Sequence, residues 1–178
     1  MKILILGIGN ILFGDEGIGV HLSNLLKLNY KLSGQHQIDI IDGGTMAATL
    51  IPIIISYDRV LILDCVSVEN ECVGEVYFFD FDNVPETITW AGSAHEVEML
   101  QTLKLTALLE DLPPVKIIGI IPEVIGENTT FELSNKVKKG SVLAEKLAIT
   151  YLQELGVKIE KIGNKDLQDI ANFSFKGY

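Results

Sequence analysis

The chain has 178 residues, 48% apolar and 21% charged, with 14 basic against 24 acidic residues for a formal charge of -10. One domain is expected at this length, with roughly 70% of the unfolded surface buried on folding, and the near-average balance of apolar and charged residues excludes a disordered class. So acidic a chain is ill suited to a phosphate backbone or an anionic membrane, which leaves protein surfaces, peptides and cations as partners.

Lys2 to Leu6 is an apolar run closed by Gly7, the pattern of a buried parallel strand. It is too short and too soon interrupted for a signal peptide, and Leu50-Ile-Pro-Ile-Ile-Ile55 falls far short of the ~20 residues that span a bilayer. A soluble, cytoplasmic protein with no membrane or nucleic-acid partner is therefore expected, its Cys65 and Cys72 reduced and structural. The glycine-rich segment Gly7-Ile-Gly-Asn-Ile-Leu-Phe-Gly-Asp-Glu-Gly-Ile-Gly19 opens like a dinucleotide fingerprint, but the third glycine of such a motif would fall at Leu12. Asp15 and Glu16 would also face a phosphate with like charge, so the turn reads as a loop facing a metal.

From Glu16 to about Tyr30, Ile18, Leu22, Leu25, Leu26 and Leu28 recur at helical spacing, with Asp15 as a plausible N-cap. His21 falls on this helix and reads as partly buried or on the surface. Gln37 to Ile41 is a second strand closed by Asp42-Gly-Gly44, after which Thr45 is placed to cap a helix running to about Tyr57 that kinks or starts again at Pro52. Val60 to Cys65 is the third strand and Gly74 to Asp80 the fourth. Too few residues separate these two for a crossover helix, so the fourth is expected as an antiparallel edge strand.

Past a loop holding Pro85 and Trp90, Ser93-Ala-His-Glu96 forms a capping box ahead of the apolar positions Val97, Leu100, Leu103 and Leu108. Val115 to Ile121 is the fifth strand. A last helix spans about Asn135 to Leu155 and ends at Gly156, and the residues after Val157 are weakly patterned. The alternation predicts an α/β fold: a three-layer α/β/α sandwich around a mostly parallel, five-stranded twisted sheet with one antiparallel edge strand. Residues 1–157 form the predicted domain, and 158–178 an extension packed on it or trailing from it.

Ligands of such sheets bind at the carboxyl ends of the strands. If strands two, one, three and five are neighbours in that order, Glu16, Asp42, Asp64 and His95 converge on that edge. Two carboxylates and an imidazole suit a borderline transition metal. Each residue also has an ordinary role: a favourable acid in a first helical turn, turn residues after strands, half of a capping box. No G-x-S-x-G elbow is present and no cysteine has an obvious histidine partner.

The opening segment through Val20, Asp42-Gly-Gly-Thr-Met46, the strand ending at Asp64, the loop into His95 and Ile118-Gly-Ile-Ile-Pro-Glu123 together resemble the nickel-iron hydrogenase maturation endopeptidases, over at least residues 1–155. The resemblance implies a protease that removes a C-terminal peptide from the nickel-loaded precursor of a hydrogenase large subunit. Glu16, Asp64 and His95 would contact the metal and carry catalysis, with Asp42 in support. The nickel is expected to be carried by the substrate and not held permanently by the protease, which is expected to act as a monomer. Cys65 follows Asp64 where relatives often carry a small apolar residue. The alternatives are a nickel-binding chaperone without catalysis, using the same three ligands, and a dinucleotide-binding oxidoreductase. The three ligand residues are expected near a solvent-facing edge with little core packing.

Overall fold

The computed structural model describes residues 1–68, 72–84, 88–89, 94–109, 112–123 and 128–178. In chain order the elements are β1 (Lys2–Ile8), a 3-10 turn (Gly14–Gly17), α1 (Ile18–Asn29), β2 (Tyr30–Ser33), β3 (Gln37–Gly44), α2 (Ala47–Ile54), β4 (Arg59–Cys65), β5 (Ser67–Val68), β6 (Val76–Asp80), β7 (Ile88–Thr89), α3 (Ala94–Leu109), β8 (Val115–Ile120), α4 (Asn135–Glu154), β9 (Lys158–Lys161) and α5 (Leu167–Phe173).

Among the described residues five strands form the main sheet in the order β3-β1-β4-β8-β6. The first four are parallel, and β6 runs antiparallel along the outer side of β8. This is the expected mixed sheet with one antiparallel edge. Its central strands are apolar on both faces because helices cover both. Along β1, Ile3 and Ile5 join a core with Leu22, Leu26, Ala148 and Leu152 from α1 and α4. Leu4, Leu6 and Ile8 point the other way, into a core with Leu50 and Ile54 of α2 and Met99 and Leu103 of α3. The two-residue period of a strand thus sends alternate side chains into two separate cores.

Several local readings are corrected. Asp15 does not cap α1: that helix begins at Ile18 after the 3-10 turn, with Gly17 at the cap and no side-chain capping bond. Thr45 does not cap α2, which starts at Ala47 after Met46 and stops at Ile54; Pro52 deprives so short a helix of a main-chain bond, and the chain leaves it by a turn in which Ser56 N–H donates to Ile53 O. Leu108 is 82% exposed. At about 100° per residue it lies well off the inward face set by Met99, Thr102, Leu103 and Thr106. Trp90 and Ser93 lie outside the described residues.

The C-terminal part adds what its weak pattern concealed. β2 and β9 form an antiparallel pair, Tyr30 opposite Lys161, and Leu167, Ile170 and Ala171 of α5 sit in the same core as α1 and α4. Asn29, at the end of α1, ties this segment down: its side chain accepts from Lys165 N and donates to Lys165 O. At the other end of the core, Ser134 caps α4 by accepting from Val137 N, and Gly156 after the helix takes φ 86°. Among the described residues no helix is long and apolar enough to cross a membrane.

Candidate active site

The register of the parallel strands brings Asp42 and Leu63 level with Gly7 on either side of it. Asp64 therefore lies one residue beyond this row, at the carboxyl edge of β4, opposite Gly119 of β8. β1 ends on the same edge and feeds into the Gly14–Gly17 turn. The chain thus delivers Glu16 beside Asp64 from a neighbouring connection. Buried Cys65 touches both residues. Its backbone N–H donates to Asp64 Oδ1 at 2.8 Å, and its Sγ is 3.9 Å from the carbonyl oxygen of Glu16.

The glycines of the first segment bring helix and strands into contact. A side chain at Gly19 would collide with the carbonyl oxygens of Leu63 and Ile8, so α1 can press directly onto the ends of β1 and β4. Gly9, at φ 140°, passes so close to the carbonyl of Glu16 that no Cβ fits there. The Gly-x-Gly pattern is explained by this packing, and the dinucleotide reading loses its motivation.

Glu16 and Asp64 are only 4% and 1% exposed. The expectation of a solvent-facing pair is corrected: the close approach that glycine permits folds the turn over the strand ends. Asp42 is the exposed member of the group. Its Oδ1 accepts from Gly44 N at 2.9 Å, and the next carbonyl out, Gly44 O, accepts from Gly9 N at 3.0 Å, so Asp42 shapes a loop that braces the first one. His95 is the second residue of α3; its side chain lies outside the described residues. Among the described residues no three His, Cys, Asp or Glu side chains gather as a metal-holding group. Cys72, expected to be structural, is exposed.

Two functional candidates escaped the sequence reading. Asp15 is buried and its carboxylate accepts from two main-chain amides, Glu123 N at 3.0 Å and Ser134 N at 2.8 Å. It staples the Glu16 turn to the segment after β8 and to the cap of α4. A further pair of bonds, Gly14 N to Thr130 O and Thr130 N to Leu12 O, holds the same turn from outside. A cavity of about 360 Å³ opens there, lined by Phe13, Asp15, Glu123, Asn128, Thr130 and Glu132 among others. His21, expected at least partly exposed, is fully buried beneath the turn, and burial lowers its pKa to about 4, so the ring is neutral. A signal for Asp15 existed in its position beside Glu16; none existed for the burial of His21, which depends on how closely α1 meets the sheet.

A family model described as hydrogenase maturation protease matches residues 20–151. Protein HydD of Wolinella succinogenes is 58% identical, covering 89% of this chain and all of that protein. The hydrogenase 2 maturation protease of Escherichia coli is 31% identical over 69% of this chain and 74% of its own length. Among solved structures, the hydrogenase maturating endopeptidase HybD from E. coli superposes with a TM-score of 0.74 at 26% identity, covering 90% of this chain and 98% of that one. A solution structure of an E. coli endopeptidase gives 0.78 at 27% identity with the same coverage.

Proposed function

The chain belongs to the hydrogenase maturation protease family, and on that footing we propose that it removes the C-terminal peptide from the nickel-loaded precursor of a nickel-iron hydrogenase large subunit. The observation that carries the residue assignment is the pairing of Glu16 and Asp64 on adjoining connections at one sheet edge, linked through Cys65. His95, two residues into α3, is the third member by resemblance. Hydrolysis of a peptide bond requires a polarised carbonyl and a water brought to it. Nickel fixed in the precursor belongs to the substrate. Two carboxylates and an imidazole match the donor preference of a borderline divalent ion, so Glu16, Asp64 and His95 would add ligands to it and set the cleavage site against the edge.

With two carboxylates and no thiolate among these ligands, the protease on its own holds free ions only moderately. Absence of nickel from the precursor then means absence of a docking point. Asp42 supports the arrangement through the Gly9–Gly44 contact. The protein acts in the cytoplasm, as a monomer, on a protein partner, in keeping with its acidic balance.

The deciding experiment mixes the purified protein with nickel-loaded and nickel-free precursor. Shortening of the loaded form alone is expected. Binding without shortening would mark a nickel chaperone instead, and equal shortening of both forms would remove nickel from the mechanism.

A further inference from the structure

His21 is 0% exposed, and among the described residues neither of its ring nitrogens has a hydrogen-bond partner. A buried polar group left unpaired costs about 1–3 kcal/mol, whereas an apolar side chain of similar shape at such a place is close to neutral or stabilising. Packing alone therefore does not favour histidine here. Its position is specific: a Cβ on Gly17 would sit 2.7 Å from His21 Nε2, 2.9 Å from Ile11 Cα and 3.3 Å from Asn10 O. Nε2 thus lies against the underside of the loop from Asn10 to Gly17, the loop that carries Glu16.

The burial of Glu16 and Asp64 gives this loop something to do. A metal fixed in another protein reaches two carboxylates that are 4% and 1% exposed only if the groups around them shift. From outside, the loop is held by the Asp15 carboxylate and by the Gly14–Thr130 pairing. From inside, the group facing it is an imidazole whose nitrogens have no hydrogen-bond partner among the described residues.

We propose that His21 is a positioning residue for the Glu16 loop: when the loop moves to present Glu16 to the substrate's metal, Nε2 takes a main-chain partner between Asn10 and Gly17 and holds the engaged arrangement. A neutral imidazole serves either way, donating to a carbonyl if Nε2 carries the proton and accepting from an amide if it does not. The inference rests on the reading that Glu16 meets the metal of the precursor.

The test compares His21→Phe and His21→Gln on nickel-loaded precursor, with amide hydrogen exchange over residues 10–17 before and after precursor is added. The phenylalanine variant is expected to melt no lower than the unmodified protein and to lose about ten-fold in kcat with KM unchanged, the size of one missing hydrogen bond. Glutamine, whose amide reaches the region of Nε2, restores most of the rate. Precursor should slow exchange in the loop of the unmodified protein and not in that of His21→Phe. If the phenylalanine variant does not fold, His21→Met takes its place, being flexible and equally without nitrogen. Cleavage at the unmodified rate by the nitrogen-free variant, or a glutamine variant as slow as it, overturns the proposal. Glu16→Gln is run alongside: normal cleavage there sinks the metal-contact reading itself, and with it this role of His21, whereas loss there with no effect at His21 rejects the positioning role alone.

Discussion

Buried carboxylates at the end of a sheet make activity and stability separable only by careful choice of substitution. Glu16→Gln and Asp64→Asn keep shape and remove charge, and His95→Ala removes the imidazole proposed as the third donor. Each is expected to abolish processing of nickel-loaded precursor while far-ultraviolet circular dichroism stays native; a variant that stays folded and still cleaves at close to the normal rate is not a ligand. Asp15→Asn should behave differently. It weakens two charge-assisted bonds to Glu123 N and Ser134 N, at a cost of roughly 1.5–3 kcal/mol, so the variant should show a lowered unfolding midpoint in urea together with partial loss of cleavage. Unchanged stability would mean that the staple is dispensable.

His21 also gives the protein a defined response to acid. In the unfolded chain its imidazole titrates near 6.5, and in the folded one near 4. Between these values the unfolded state binds more protons, so the contribution to stability is complete above the higher value and is lost as pH falls toward the lower one. The shift corresponds to roughly 3 kcal/mol across that window. Urea unfolding of the unmodified protein and of His21→Phe, measured near neutrality and again near pH 4.5, should show the histidine protein losing more stability than the variant; parallel losses would refute the buried neutral imidazole.

At the level of elements, the site depends on how closely α1 meets β1 and β4. Gly19 is the point of contact, and a methyl group there would strike the carbonyls of both strands. Gly19→Ala is expected to destabilise by about 1–3 kcal/mol or more, since the clash is with main chain and not with a side chain that can turn away. It should also reduce cleavage, because the 3-10 turn that carries Glu16 leads directly into α1. A thermal melt and a cleavage assay check the two effects together, and a variant as stable as its parent would show that the helix can withdraw without strain. Helix α4 supports the site at a distance: the main chain at its Ser134 cap donates to Asp15, so the turn is joined to a helix of 20 residues that packs on the sheet.

At the scale of the whole molecule, the fold places its acidic site where the carboxyl ends of β1, β3 and β4 meet, and leaves Glu16 and Asp64 under cover. Two carboxylates with no thiolate store a free metal poorly, so on the proposed reading the metal arrives with the partner. The protein purified without added metal should contain well under one equivalent of any transition metal by elemental analysis and still shorten nickel-loaded precursor without supplementation. Stoichiometric zinc that resists chelators in an active preparation would reverse this and identify a conventional metallopeptidase.

The apolar runs of β1, β4 and β8 declared themselves in the sequence, because a strand buried on both faces has no polar alternation to hide it. The short gap before β6 likewise dictated an antiparallel edge, since no crossover fits in it. Asp64 and Asp42 could be placed at the carboxyl edge from the sequence for the same reason: strand ends inherit the certainty of their strands. The four-residue strands β2 and β9, half exposed and only stable as a pair, carried no signal of their own, and α5 is recognisable as core only once Leu167 and Ile170 are seen against α1. Burial of Glu16, the double acceptance by Asp15 and the enclosed ring of His21 were likewise settled by tertiary structure alone. They follow from helix, turn and strand ends meeting at glycine distance, and a one-dimensional pattern records which residues are small without recording what they are pressed against.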